Sequence, residues 1–229
     1  MLHKTKGIVL NYLKYGESSI IVKVFTEEFG MQSYIVNSVR SSKAKSRIAL
    51  FQPLTLLDMV VYYREQTSLH RIKEMKCIVP FTSIPFEFRK SGIALFMTEV
   101  LLKTVKGEEQ SLPLFEFLQE SVLLLDRLQE NYSNFHLQFL LQLSSFLGFA
   151  PGTAEELYEQ VHPGGNISGF AADEKEALEA ILQQGFNTSI RLGAEQRKHI
   201  LRNILQFYRL HVDNFGELKS LSVLQEVMS

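Results

Sequence analysis

Cysteine is nearly absent. Cys77 is the single one among 229 residues, so the chain closes no internal disulfide and cannot assemble a four-cysteine zinc site. Lying in an alternating stretch with Met75 and Val79, Cys77 reads as a buried strand residue. Long apolar runs are missing too. The first residues, Met1 to Lys6, lead into alternating rather than continuous apolar sequence, and no stretch of about 18 apolar residues occurs anywhere. These absences exclude a signal peptide and a membrane-spanning helix, and place the expected protein in the cytoplasm.

Catalytic signatures are equally scarce. The six histidines, His3, His70, His136, His162, His199 and His211, show neither the i, i+4 pairing nor the HExxH spacing that metal binding on a helix requires. Gly164-Gly-Asn-Ile-Ser-Gly169 lacks a following Lys-Ser/Thr and reads as a turn rather than a phosphate loop. No GxSxG occurs, and no carboxylate cluster repeats a two-metal nuclease pattern. Nothing demands an enzyme, a metal or a cofactor.

What the chain does have is a division of charge. Residues 1–80 hold 12 Lys+Arg against 6 Asp+Glu, whereas 81–229 hold 12 against 19, a contrast hidden by the overall net charge of −1. A basic module of this kind suits a polyanion.

That basic portion also has its own periodicity. From Gly7 to Val79 the apolar period is two, in five runs: Gly7–Leu13, Ile20–Phe25, Met31–Val39, Leu54–Tyr63 and Leu69–Val79. Five short strands in about 80 residues must close to hide their edges, which a Greek-key barrel of the oligonucleotide-binding (OB) type achieves; an SH3-like barrel is the rival. Beyond Pro80 and Pro85 the period becomes helical. Successive apolar stripes predict helices from about Ile93 to Gly107, Leu114 to Leu128, Asn134 to Leu147, Asp173 to Gln184, Ala194 to Asn214 and Leu218 to Met228, with a short one near Glu155–Glu159. Asn134–Leu147 is apolar all round and should be central, while Asp173 and Glu176 fit a capping box. The fold class is therefore α+β: a barrel over 1–80, then an all-helical domain over 81–229 with a loop-rich insertion at about 150–172.

Two surfaces carry candidate chemistry. Between the third and fourth strands, Arg40, Lys43, Lys45 and Arg47 occur without an acid among them, and Lys14, Lys23, Arg64, Arg71 and Lys73 extend the charge. In such barrels phosphates meet Lys and Arg while bases stack on exposed aromatics. Strand alternation sends about half of Tyr12, Tyr15, Tyr34, Tyr62 and Tyr63 inward, so Tyr15, expected in a turn, is the stacking candidate. The bland reading is a hydrated loop. On the helix beginning at Ala194, Lys198, Arg202 and Arg209 fall within about 40° of one another beside Leu201 and Leu205. This edge suits an acidic peptide with an apolar tip, and equally an ordinary solvated helix face.

The ordered set Gly7-Ile-Val-Leu10, Tyr15-Gly-Glu-Ser-Ser-Ile-Ile-Val22, Phe25-Thr-Glu-Glu-Phe-Gly30, Arg40–Arg47, Phe51-Gln-Pro-Leu-Thr-Leu-Leu57 and Leu218-Lys-Ser-Leu-Ser-Val-Leu224 resembles the bacterial RecO family. The resemblance spans nearly the whole chain and implies an OB barrel followed by a helical domain. It further implies binding of single- and double-stranded DNA, annealing of complementary strands, and action with RecR to help RecA replace single-strand-binding protein. The acidic C-terminal tail of single-strand-binding protein would dock on the helical domain, and RecF is a further candidate partner. Many relatives carry a four-cysteine zinc site near 150–172. This chain has Pro151, His162, Gly164 and Gly165 there and no cysteine, so that segment is expected to be held by packing alone or to be mobile. The competing reading is an interaction adaptor whose barrel binds protein; a metal nuclease stands third.

Overall fold

The structure, a computed structural model, describes residues 1–37, 48–107, 110–164 and 172–228. Arg40, Lys43, Lys45 and Arg47, together with most of the glycine-rich turn after Gly164, therefore lie outside the described residues. The chain forms two compact units, Met1–Arg127 and Leu128–Ser229.

In the first unit five strands close into a barrel: β1 (Leu2–Tyr15), β2 (Ser19–Thr26), β3 (Gly30–Val36), β4 (Leu56–Tyr62) and β5 (His70–Cys77), ordered β1-β2-β3-β5-β4. This is the OB arrangement. Only β3 and β5 run parallel, meeting at Tyr34↔His70 and Ile35↔Arg71. β1 starts earlier than its alternation suggests because it serves two partners, β4 from Leu2 to Ile8 and β2 from Gly7 to Tyr15. The changeover requires Gly7, where an added Cβ would sit 2.5 Å from Val24 Cγ1 and 2.6 Å from Met59 Cε. An irregularity between Val9 and Asn11 bends the strand so that both ladders form. Inward-facing Val9, Val22, Val24, Tyr34, Met59 and Val61, with Phe51 from the turn Ala49–Phe51, fill the interior. Cys77 corrects the sequence reading: it belongs to β5 but is half-buried, since β5 is exposed along most of its length. Tyr15 likewise ends β1 instead of lying in the turn.

Two helices, α1 (Phe88–Thr104) and α2 (Leu112–Arg127), belong to the same compact unit, although the periodicity changes near residue 80. The Asp126 side chain fastens the connector ahead of α1. Its carboxylate accepts the backbone N–H groups of Thr82, Ser83 and Ile84, each at 2.9 Å, while buried Lys90 donates to Ser83 Oγ at 2.6 Å.

The second unit comprises α3 (Phe135–Phe146), α4 (Ala154–Val161), α5 (Ala172–Gln184), α6 (Ala194–His211) and α7 (Ser220–Met228). α3 packs on α5, α6 and the turn Gly185–Asn187, which accounts for its apolar circumference. Tyr208 on α6 donates to the Leu140 carbonyl at 2.6 Å. α5 begins at Ala172, so Asp173 lies within the first turn rather than preceding it; its carboxylate accepts the Glu174 N–H at 3.0 Å. In the loop-rich segment, α4 is anchored by buried Ala154 and Leu157 and by its Ala154 N–H donating to Glu179 Oε1 at 2.8 Å. Thr153 caps it by accepting the Glu156 N–H at 3.1 Å. Among the described residues no helix is long and apolar enough to cross a membrane.

Candidate nucleic-acid interface

Strand pairing sets which side chains share the outer face of the barrel. Directly opposed residues point the same way, so the pairs Leu13↔Ile21, Ile21↔Ile35, Ile35↔Arg71 and Arg71↔Tyr62 form one outward row running across all five strands. Lys23 stands in the adjacent outward row between Asn11 and Ser33. Tyr15, opposite Ser19, belongs to the row beyond, where Ser19 Oγ donates to Asn37 Oδ1 at 3.1 Å. Asn37 is the last described residue before the segment holding Arg40, Lys43, Lys45 and Arg47, and Ile48 resumes just ahead of buried Phe51.

Among the described residues, Lys14, Lys23, Arg64 and Arg71 are exposed and none makes an ion pair, whereas Lys73 lies 3.4 Å from Glu74. Elsewhere on the barrel Lys6 is matched with Glu27 at 3.0 Å and Lys76 with Asp58 at 3.1 Å, while exposed Lys4 makes no ion pair among the described residues. The unmatched cations therefore occupy more than one side of the barrel: Lys4 and Lys14 on β1, Lys23 on β2, Arg71 on β5 and Arg64 in the β4–β5 turn. Lys14 is opposite buried Ile20, which puts it on the inward parity at the open end of the barrel and away from the row of Arg71. Of the five tyrosines, Tyr34 is fully buried, Tyr12 and Tyr63 partly so, and Tyr15 and Tyr62 are about half exposed at 51% and 49%. Sequence reasoning named Tyr62 among the five but singled out Tyr15 alone; the parity of Tyr62 relative to buried Val61 was the available signal.

Behind this surface runs an aromatic column. Phe29 stacks on Tyr63 at 4.0 Å between centroids and Tyr63 on His70 at 4.8 Å, with His70 5.9 Å from Tyr34. Burial, with Tyr63 nearby, pushes the Tyr34 phenol well above its ordinary pKa, so it is never an anion in the folded barrel.

The second candidate surface lies in the helical unit. Leu201, Leu224 and Met228 floor a cavity of about 120 Å³ between α6 and α7, with Glu195, Lys198 and Gln225 on its exposed rim. Arg197 lines it as well, but its guanidinium donates to Asn134 Oδ1 at 3.1 Å, Leu192 O at 3.0 Å and Met228 O at 3.3 Å, bracing α7 against α6. Lys198 makes no ion pair among the described residues. Leu205 is buried away from the cavity lining, and Arg202 and the exposed Arg209, which donates to Gln206 Oε1 at 3.3 Å, also lie outside that lining. Only Lys198 and Leu201 of the five residues picked from the helical stripe thus line the cavity. The contribution of α7 was missed, although Leu224 and Met228 are spaced i, i+4. Among the described residues no cluster of His, Cys, Asp and Glu is arranged to hold a metal ion.

Comparison with known proteins matches residues 1–81 to the family model described as Recombination protein O N terminal and residues 85–157 to Recombination protein O C terminal. The chain is 41% identical to the DNA repair protein RecO of Bacteroides fragilis, with 99% of each chain covered. It is 37% identical to its namesake in Flavobacterium johnsoniae over 99% of each chain, and 35% identical to that of Phocaeicola vulgatus over 100% of each. With the closed barrel, the helical remainder and full-length similarity in agreement, the chain belongs to the RecO family of DNA repair and recombination proteins.

Proposed function

We propose that this chain is a recombination mediator that works by binding rather than by covalent chemistry. Its barrel binds single- and double-stranded DNA, it anneals complementary strands, and with RecR it helps load RecA onto DNA covered by single-strand-binding protein. The observation that supports this most is the outer barrel face, where Lys23, Arg64 and Arg71 have no carboxylate partner among the described residues and where the segment bearing Arg40, Lys43, Lys45 and Arg47 departs. Cations held without internal partners are available to phosphates, and neutralised phosphates let two strands approach. Sequence preference should be weak, since a strand surface of this composition presents no recognition helix.

The α6–α7 cavity is the surface of the helical unit proposed to take the acidic, apolar-ended tail of single-strand-binding protein. There Leu201, Leu224 and Met228 take one apolar side chain, and Lys198 meets the carboxylates. RecF remains a further candidate partner.

The test is the salt dependence of binding to a single strand. If Arg40, Lys43, Lys45 and Arg47 each neutralise one phosphate, replacing all four by neutral residues lowers the log–log salt slope by about 3, from roughly 0.7 per contact. An unchanged slope places the polyanion elsewhere. The adaptor reading has support of its own in the outward row, where exposed Leu13 lies beside half-buried Ile21 and Ile35. It predicts no length-dependent, salt-sensitive binding to an oligonucleotide series.

A further inference from the structure

We propose that the cleft between the end of β4 and the start of β5 is a subsite for one unpaired nucleotide, and that Tyr62 rather than the basic segment makes this protein prefer single strands to duplex. The proposal rests on the nucleic-acid reading of the barrel and assigns strand selectivity to a particular place on it. Tyr62, Arg64, Thr67, Leu69 and Arg71 line a cleft of about 480 Å³ to which no carboxylate contributes among the described residues. Tyr62 and Arg71 are directly opposed on the outward face, which sets the ring and the guanidinium side by side. Arg64 is carried on a closed turn, since Thr67 donates both its backbone N–H, at 3.1 Å, and its hydroxyl, at 2.9 Å, to the Arg64 carbonyl.

The wall behind the cleft is rigid. Inward-facing Tyr63 and His70 alternate with outward-facing Tyr62 and Arg71 and are fixed in the stacked column with Phe29. A half-exposed ring on such a support loses little conformational freedom on binding, which favours stacking. The ligand class follows from the chemistry. Two unpaired guanidiniums call for a phosphodiester, and an accessible aromatic face with Leu69 beside it calls for a planar apolar group; a nucleotide supplies both. In a duplex the faces of each base are already stacked on their neighbours, so only an unpaired base can enter.

Three probes separate the contributions: an oligothymidylate, an abasic oligomer of the same length, and a duplex of that length. Tyr62→Ala in the full chain should weaken oligothymidylate binding roughly 10-fold and leave the abasic oligomer, the duplex and the salt slope unchanged, while Tyr62→Phe stays within about 2-fold of the parent. Arg71→Ala should weaken all three probes and lower the single-strand salt slope by about 0.7. In the unsubstituted chain, photo-crosslinking with a 5-iodouracil oligonucleotide should attach to the peptide containing Tyr62, which keeps the test independent of mutant folding. Equal losses on all three probes with Tyr62→Ala, no loss at all, or crosslinks confined to other peptides overturn the subsite while leaving the nucleic-acid reading intact. Absence of salt-sensitive binding to every probe by the unsubstituted chain overturns that reading itself.

Discussion

Tyr34 places a hydroxyl inside the barrel where no described residue accepts or donates to it. A buried polar group without a partner costs about 1–3 kcal/mol, so Tyr34→Phe, which keeps the ring and its packing, should raise the unfolding free energy by about 1 kcal/mol in urea titrations. A loss of similar size would mean that the hydroxyl is satisfied in the folded protein and would overturn this reading. His136 tests burial in the other unit. Desolvation, reinforced by the Arg197 cation, lowers its pKa to about 3. The native state therefore keeps this ring neutral through the range in which the unfolded chain takes up a proton, near pH 6.5. With more protons bound in the unfolded state, stability is complete above pH 6.5 and erodes as the pH falls towards 3. Urea unfolding followed by tyrosine emission at a series of pH values should show this loss, at most about 1.4 kcal/mol per pH unit from this group. His136→Gln should flatten the profile over the same interval, and an identical profile in the variant would assign the acid sensitivity to other groups.

Among the elements, the link from β5 to α1 depends on one carboxylate. Burial raises the Asp126 pKa, but the N–H groups of Ile84, Thr82 and Ser83 and the Thr82 hydroxyl outweigh it, and the carboxyl is held below its ordinary value. Its contribution is present above the unfolded pKa and is lost as pH falls through the lower native one. Asp126→Ala leaves the backbone donors of Thr82, Ser83 and Ile84 without their acceptor, and should cost about 3–5 kcal/mol in chemical denaturation. No local pattern announces this bond, because Thr82 and Asp126 are 44 residues apart. The strands were readable for the opposite reason. A period of two is a local property imposed by an apolar interior, so Ile20–Phe25 and Leu54–Tyr63 were located to within two residues of β2 and β4. β1 was read too short because its first residues, Leu2 to Lys6, serve the ladder to β4, a long-range pairing that leaves exposed and buried positions mixed. The association of α1 and α2 with the barrel unit is also a long-range outcome, carried by Asp126 and by Phe25 lying 6.2 Å from Phe115 between ring centroids.

Across the whole chain, the division of charge predicts two ligand sites that answer to different variables. Parity made part of the first readable: Lys23 and Arg71 follow from alternation once the strands are drawn, whereas the joining of Arg71 to Tyr62 and Ile35 required the β3–β5 and β4–β5 registers, which no single-strand pattern encodes. The second needed α7 brought against α6 by Arg197, a contact between residues 31 apart. If the barrel takes the polyanion and the α6–α7 cavity takes an acidic peptide, substitutions in one unit should leave the other ligand untouched. Combining Lys23→Ala, Arg64→Ala and Arg71→Ala should lower the single-strand salt slope by about 2 and leave binding of a fluorescent peptide with an acidic, phenylalanine-ended sequence unchanged. Lys198→Glu should do the reverse, weakening the peptide by about 10-fold or more through like-charge repulsion at the rim while the DNA slope stays at its original value. Anisotropy titrations of each probe against both variants at two salt concentrations decide the matter. Loss of DNA binding in Lys198→Glu would mean that the helical unit shares the nucleic acid, and loss of peptide binding in the barrel variant would mean that the acidic tail competes for the same cations.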